Sequence, residues 1–88
     1  MSMVQPTFAQ KSEDKLRQIF SEVLNLPMPD ITDATAFDQT KGWDSIAHMN
    51  LVAALDAGFD IMLDTDDIVD MSSYGKARDI LRKYGIPF

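Results

Sequence analysis

Cysteine is absent from this chain of 88 residues, and histidine occurs only once, at position 48. Without a thiol the chain has no disulfide, no cysteine nucleophile and no zinc–cysteine site. A single histidine leaves little for a metal site or for a catalytic acid–base pair. We therefore expect no metal centre and no enzyme, and any thiol chemistry must come from a group attached to the chain.

Long apolar runs are also missing. No stretch approaches the roughly 18 apolar residues of a membrane-spanning helix, and no basic segment followed by an apolar one opens the chain. We expect a cytoplasmic protein without stable membrane insertion. Residues 1–88 suffice for one small domain, and a hydrophobic content of 45% with several periodic segments favours a folded globule over disorder.

Basic side chains are scarce in the middle of the chain. Residues 28–70 contain ten aspartates and a single basic residue, Lys41. From Met71 onward the balance is reversed, with four basic residues and one aspartate. The acidic region repels nucleic acid and anionic lipid, so neither is an expected partner, and it would steer a basic protein surface toward the chain. A plain role in solubility explains the same charge, and the sequence leaves both interpretations open.

The apolar residues that are present repeat with the period of helices. Helix I is predicted over residues 12–26, after a loosely ordered segment of residues 1–11, and prolines end it. One side of helix I carries an apolar stripe that predicts a buried face: Leu16, Ile19, Phe20, Val23 and Leu24.

Three more helices follow in the prediction. Helix II covers residues 45–57 and ends at Gly58, and a short helix III begins at Asp64 or Thr65. Helix IV begins at Ser72 or Ser73 and closes at Gly85. The aspartates of residues 60–70 lack the central glycine and closing glutamate of an EF-hand calcium loop, so they predict no such site.

The connection between helices I and II, residues 28–44, is long for so small a domain, and loops of this length are usually functional. Trp43 lies at its end. The indole is interpreted either as an apolar plug that closes the start of helix II or as a contact for a partner that approaches the next residues.

Asp44 and Ser45 lie where this loop becomes helix II. If the Asp44 side chain caps the helix, Ser45 takes the first helical position with its hydroxyl free and facing outward. A phosphate attached there would lie among unpaired N–H groups at the positive end of the helix dipole. The alternative interpretation is that this dipeptide is only a helix cap.

Helix II has more apolar surface than one buried face requires. Leu51, Val52 and Leu55 form one face, and a second stripe follows at helical spacing: Ile46, Met49 and Ala53. We expect this second stripe to be partly exposed and to meet partners. The alternative is that it packs on helix I or helix IV.

Two segments, 42–46 (Gly-Trp-Asp-Ser-Ile) and 54–66, are similar to acyl carrier proteins, and the resemblance runs from about Ser12 to Leu81. It implies an all-α four-helix bundle of acyl-carrier type, with a long loop between helices I and II and a short helix III. It also implies that a magnesium-dependent phosphopantetheinyl transferase moves 4′-phosphopantetheine from coenzyme A to Ser45. Asp44 would contact that transferase.

The resemblance further implies a monomer that carries acyl or aminoacyl groups as thioesters and delivers them between enzymes of fatty-acid, lipid or specialised-metabolite synthesis. Its partners would be a loading ligase and a downstream acyltransferase or synthase. The partner-binding positions expected around the site are Trp43, Asp44, Ile46, Met49, Ala53 and Asp56.

This chain departs from the pattern of fatty-acid-synthase carriers, which usually have leucine after the serine and acidic residues along the next two turns. The same positions here hold Ile46, Ala47, His48 and Asn50. We therefore expect a free-standing specialised carrier with its own partner enzymes. Two alternatives stay open: an aminoacyl carrier of D-alanyl type in cell-envelope or peptide synthesis, and an unmodified helical adaptor.

Overall fold

The computed structural model describes residues 8–88. Its helices follow the order α1 (Phe8–Leu24), a short 3₁₀ turn (Met28–Asp30), α2 (Ser45–Phe59), α3 (Thr65–Asp70) and α4 (Tyr74–Lys83). The described residues form no strand beyond one isolated bridge between Ala36 and Ser73. The predicted all-α class, with its long first loop and its short third helix, is confirmed.

Helix α1 begins at Phe8, so the prediction of a loose segment up to residue 11 and a helix start at Ser12 is wrong for residues 8–11. These four residues include no glycine or proline, and alanine, glutamine and lysine are good helix formers. The rest of the predicted loose segment, residues 1–7, lies outside the described residues.

Helix α1 ends at Leu24, two residues before the predicted end. Asn25 follows with φ 56°, and asparagine tolerates this left-handed conformation better than most residues. The amide of Leu26 then donates to the carbonyl of Ser21 at 3.1 Å, which satisfies a carbonyl in the last turn. The chain therefore turns before Pro27 is reached.

The core lies between α1, α2 and α4. Phe20 of α1 is fully buried, and its ring meets Trp43 edge-on at 5.3 Å and Tyr74 edge-on at 5.0 Å between ring centroids. These arrangements are favourable for aromatic rings. The other fully or almost fully buried large residues surround this cluster: Leu16, Ile31, Leu51, Leu55, Met71 and Leu81.

Helix α2 runs to Phe59, so the prediction that Gly58 ends it is wrong. Gly58 is helical, and a Cβ atom there would lie 2.9 Å from Cδ1 of Ile19, so glycine allows α1 to approach closely. The left-handed residue that ends the helix is Asp60, with φ 54°. The starts of the later helices agree with the prediction, since Asp64 directly precedes α3 and Ser73 directly precedes α4. The Ser73 side chain accepts from the amide of Lys76 at 3.0 Å, whereas the Asp64 side chain makes no cap hydrogen bond.

Four side chains, here called the arginine cluster, join the long loop to α1 and α4: Glu13, Asp33, Tyr74 and Arg78. The guanidinium of Arg78 donates to Glu13 at 2.9 Å and to Asp33 at 2.7 Å, and the Tyr74 hydroxyl donates to Glu13 at 3.1 Å. The hydrogen bond from Arg78 holds the pKa of Asp33 below its ordinary value. Burial, with the charge of Glu13, raises the pKa of Tyr74 to about 12.

Helix α3 is joined to the end of α4 by Asp67, whose side chain is buried although charged. Its carboxylate accepts hydrogen bonds from Lys83 and, at 2.7 Å, from the hydroxyl of Tyr84. The bond from Lys83, followed by that from Tyr84, lowers the pKa of Asp67. The same tyrosine hydroxyl accepts a hydrogen bond from the amide of Asp64 at 2.9 Å. The Tyr84 hydroxyl therefore holds both Asp64, just before α3, and Asp67, at the end of its first turn.

Candidate functional site

Ser45 is the first residue of α2 and its side chain is exposed. Asp44 before it has an extended backbone, and its carboxylate accepts a hydrogen bond from the amide of Ala47 at 2.9 Å. The Ser45 hydroxyl has no hydrogen-bond partner among the described residues. Asp44 therefore performs the capping, and the serine oxygen is free for chemistry.

A tight turn leads the chain to this position. Gly42 has φ 91°, and a Cβ atom there would lie 2.9 Å from the carbonyl oxygen of Leu24, so the backbone requires glycine on two grounds. The amide of Trp43 donates to the carbonyl of Thr40 at 3.0 Å, and the amide of Asp38 donates to the carbonyl of Trp43 at 3.0 Å. The end of α1 and the residues before Ser45 are thus packed against each other.

Trp43 is only 1% exposed, so its prediction as a partner-binding residue is wrong. The interpretation as an apolar plug is the one that the structure supports, because the indole is in edge-on contact with Phe20 of α1 and Phe37 of the loop. A buried indole ring removes more apolar surface from water than one that stays partly exposed on the surface. Its indole nitrogen still needs an acceptor, since a buried N–H without one is costly.

That acceptor is His48, which sequence reasoning did not identify as a site residue. Indole Nε1 of Trp43 donates to Nδ1 of His48 at 3.0 Å, and Nε2 of His48 donates to the carbonyl of Ile68 in α3 at 2.8 Å. One signal was available in the sequence: His48 precedes Leu51 and Val52 by three and four residues, which places it beside the buried face of α2.

The stripe predicted to be exposed on α2 is exposed. Ile46 is 75% and Met49 56% accessible, and Ala53 is exposed as well. The alternative that this stripe packs on helix I or helix IV is therefore excluded. We call these three residues the α2 surface. The first turn of the helix holds no acidic residue, so this surface next to Ser45 is apolar and uncharged.

Asp56 lies farther along α2 and is half-buried. Its carboxylate accepts a hydrogen bond from the amide of Leu63 at 3.0 Å and so holds the connection between α2 and α3. The structure thus gives Asp56 a structural contact in addition to the partner role that the sequence analysis expected.

A cleft of about 220 Å³ opens between the long loop, α2 and α3. Its wall is mainly apolar and includes His48, one turn after Ser45 on α2; the lining residues are Phe37, His48, Ile68, Val69, Met71 and Ser72. Val69 is 75% exposed, so α3 adds an apolar side chain to the surface near the site.

Two further observations concern residues 8–88. None of their helices combines the length and the apolar character that a membrane span requires. Over the same range, no group of three or more histidine, aspartate or glutamate side chains is arranged to hold a metal ion.

A comparison with protein families finds a match over residues 14–81 to the family described as "Phosphopantetheine attachment site". The match covers far more than half of the chain, and the chain belongs to this family of carrier proteins. The family's domain is the place where 4′-phosphopantetheine is covalently attached, so the predicted cofactor is confirmed. Such proteins are carriers without catalytic activity, are modified by phosphopantetheinyl transferases and interact with enzymes.

Proposed function

We propose that Ser45 is the attachment residue for 4′-phosphopantetheine. The observation that carries this proposal is the exposed hydroxyl of Ser45, which is unengaged and stands at the first position of α2 inside the matched region. A phosphodiester at this oxygen would lie beside the unpaired N–H groups of the first turn and at the positive end of the helix dipole. Both effects favour a negative charge at this position.

The residues around Ser45 fit this group. Asp44 holds the first helical turn through its bond to the amide of Ala47, and the buried Trp43 anchors the preceding backbone, so the hydroxyl is presented from a rigid element. The attached group supplies a thiol on a flexible arm, which can carry a cargo as a thioester. The chain itself has no cysteine that would compete with this thiol.

The α2 surface is the proposed docking area for partner enzymes. Ile46, Met49 and Ala53 lie on exposed turns of the helix that Ser45 begins, and an exposed apolar patch of this kind usually marks an interaction site. Asp44 is exposed and belongs to the same area as a transferase contact. Asp56 remains a proposed partner residue at its far end, whereas Trp43 is buried and acts only through the backbone it anchors.

The proposed role is a monomeric cytoplasmic carrier that moves acyl or aminoacyl groups between a loading ligase and a downstream acyltransferase or synthase. The pathways in question are fatty-acid, lipid or specialised-metabolite synthesis. The uncharged first turn of α2 favours a dedicated set of partners, because enzymes that recognise carboxylates in this turn would find none there. A D-alanyl-type aminoacyl carrier satisfies the same observation and is the second candidate.

The attachment site is tested by the mass of the intact protein after incubation with coenzyme A, magnesium and a transferase of broad specificity. The wild type should gain one phosphopantetheine, and Ser45→Ala should gain none. Ser72→Ala is the matched control, since Ser72 is also exposed, and it should behave as the wild type. A wild type that gains nothing would overturn the proposal and leave the adaptor interpretation. A Ser45→Ala protein that is still modified would also overturn it, because the attachment residue would then be a different one.

The dedicated pathway needs its own test. The phosphopantetheine-bearing protein would be offered to its cognate ligase and, separately, to generic fatty-acid synthases, and acylation rates would be compared. We expect efficient loading by the ligase alone. Efficient elongation by ordinary fatty-acid enzymes would refute the specialised role, although attachment at Ser45 would stand.

A further inference from the structure

The side chain of His48 connects three parts of the structure around the proposed attachment residue. It belongs to α2, accepts from Trp43 of the long loop and donates to the carbonyl of Ile68 in α3. The rings of Trp43 and His48 are also nearly parallel, with an angle of 18° between their planes and 6.0 Å between centroids. Phe37, which lies earlier in the same loop, meets the imidazole ring edge-on, with 5.3 Å between the two ring centroids.

The two hydrogen bonds define the state of the imidazole. Nδ1 must carry a lone pair to accept from the indole, and Nε2 must carry a proton to donate to a carbonyl. Only the neutral ring with its proton on Nε2 meets both demands. With both nitrogens engaged, His48 has no lone pair left to remove a proton from Ser45, so a role as a general base is excluded in this arrangement.

The residues that lead into α2, 42–45, are here called the attachment turn. The same two hydrogen bonds of His48 determine where this turn lies relative to α3. Trp43 is two residues before Ser45 and 1% exposed, so loss of its acceptor would leave a buried N–H unsatisfied and would favour a shift of the indole. Ile68 lies beside the exposed Val69 on a helix of only six residues. Among the bonds of the described side chains, those of Asp67 tie this helix to α4, and that of His48 ties it to α2.

From this geometry we infer that His48 is a positioning residue for the modification of Ser45: it holds the attachment turn and α3 in the relative placement that orients the Ser45 hydroxyl for reaction once the transferase has bound. The inference rests on the proposed attachment at Ser45. In that reaction a bond forms between the Ser45 oxygen and phosphorus, the phosphoanhydride bond of coenzyme A breaks, and adenosine 3′,5′-bisphosphate leaves. The hydroxyl proton goes to a base of the transferase, and His48 does not touch the reacting atoms.

The test compares three proteins as substrates of one transferase: the wild type, His48→Leu and His48→Gln. Leucine removes both hydrogen bonds and keeps much of the side-chain volume, whereas glutamine offers one acceptor and one donor. We expect His48→Leu to lower kcat about tenfold with a nearly unchanged KM for the carrier, since a misplaced nucleophile slows the reaction of the bound complex. His48→Gln should recover kcat to within about twofold.

The split between kcat and KM separates positioning from a purely structural role. A variant that is merely less folded presents less usable carrier, which raises the apparent KM and leaves kcat as it was. An unchanged kcat in a folded His48→Leu protein would therefore overturn the inference, as would a His48→Gln variant as slow as His48→Leu. Helix content by circular dichroism establishes that each variant is folded.

If His48→Leu does not fold, Trp43→Phe tests the same contact. This change removes the indole N–H and keeps an aromatic ring in the core, and it should also lower kcat while KM is retained. A folded Trp43→Phe variant with wild-type kcat would contradict the inference. Failure of the attachment proposal is distinguishable, because the wild type would then not be modified at Ser45 at all.

Discussion

The arginine cluster and the α2 surface differ in how much they contribute to the stability of the fold. In the cluster, Arg78 is bonded to two carboxylates from different elements. The guanidinium groups of Arg78 and Arg17 also lie over the Tyr74 ring, 5.3 and 5.4 Å from its centroid. The α2 surface has no such contacts, and its residues face solvent. The comparison indicates that the loop and outer helices form a stable scaffold, whereas one face of α2, the proposed docking area, is open to solvent.

Among the substitutions considered, the largest loss of stability is expected in the hydrophobic core beneath both regions. Phe20→Ala should lower the free energy of unfolding by about 3–5 kcal/mol, because it removes a fully buried ring between Trp43 and Tyr74 and leaves a cavity. In a domain of 88 residues this is a large share of the total stability. Urea unfolding followed by circular dichroism measures the change, and a loss below about 1 kcal/mol would show that the core is packed differently.

The arginine cluster should account for the next largest effect. Arg78→Met keeps the length of the side chain but removes its bonds to Glu13 and Asp33, and we expect a loss of about 1–3 kcal/mol in unfolding free energy. The control is Arg82→Met, whose exposed pair with Asp79 should contribute less than about 0.5 kcal/mol. Equal losses in the two variants would mean that the cluster has no special role in the scaffold.

Alkaline pH should weaken the same cluster through Tyr74. Its pKa is raised from 10.0 to about 12 in the folded protein, so the unfolded chain releases the phenolic proton first. The stabilisation is complete below pH 10 and is lost as the pH rises from 10 toward about 12. Tyr74→Phe should therefore show a smaller loss of stability across this range than the wild type, as measured by urea unfolding at each pH. Identical pH profiles would contradict this assignment.

The smallest effect on stability is expected at the α2 surface. Met49→Ser should change the unfolding free energy by no more than about 0.5 kcal/mol, because the side chain is more than half exposed. The same change should reduce kcat/KM for loading by the partner ligase, since it removes apolar contact area. Lys76→Ser, at an exposed position of α4, serves as the control and should leave loading unchanged. Equal loading of all three proteins would remove the α2 surface from the docking area.

The sequence was informative wherever the signal was local. The starts of α2, α3 and α4 were predicted correctly, because each depends on a few neighbouring residues. At α2 and α4 the side chains of Asp44 and Ser73 bond to the nearest amides of the helix, whereas Asp64 before α3 makes no such bond. The start of α1 was missed because Ser12 looked like a helix cap although the residues before it also favour a helix.

The errors at Gly58 and Trp43 have a different origin. Glycine often ends a helix, but Gly58 lies within α2, where a Cβ atom would come within 2.9 Å of Cδ1 of Ile19 in α1. Trp43 was consistent with a plug or a partner contact, and the choice depended on whether Phe20 and Phe37 surround it. Neither fact is contained in the neighbouring sequence.

The sequence by itself determined the class of this protein: a cysteine-free helical domain with Ser45 at the start of its second helix, which is a matter of composition, periodicity and short-range caps. The tertiary structure alone decided that this serine is flanked by a buried tryptophan, and that a histidine connects that tryptophan to α3. The physical reason is range. Caps and helical periods act over a few residues, whereas burial and the hydrogen bonds of His48 join residues that meet only when the helices pack.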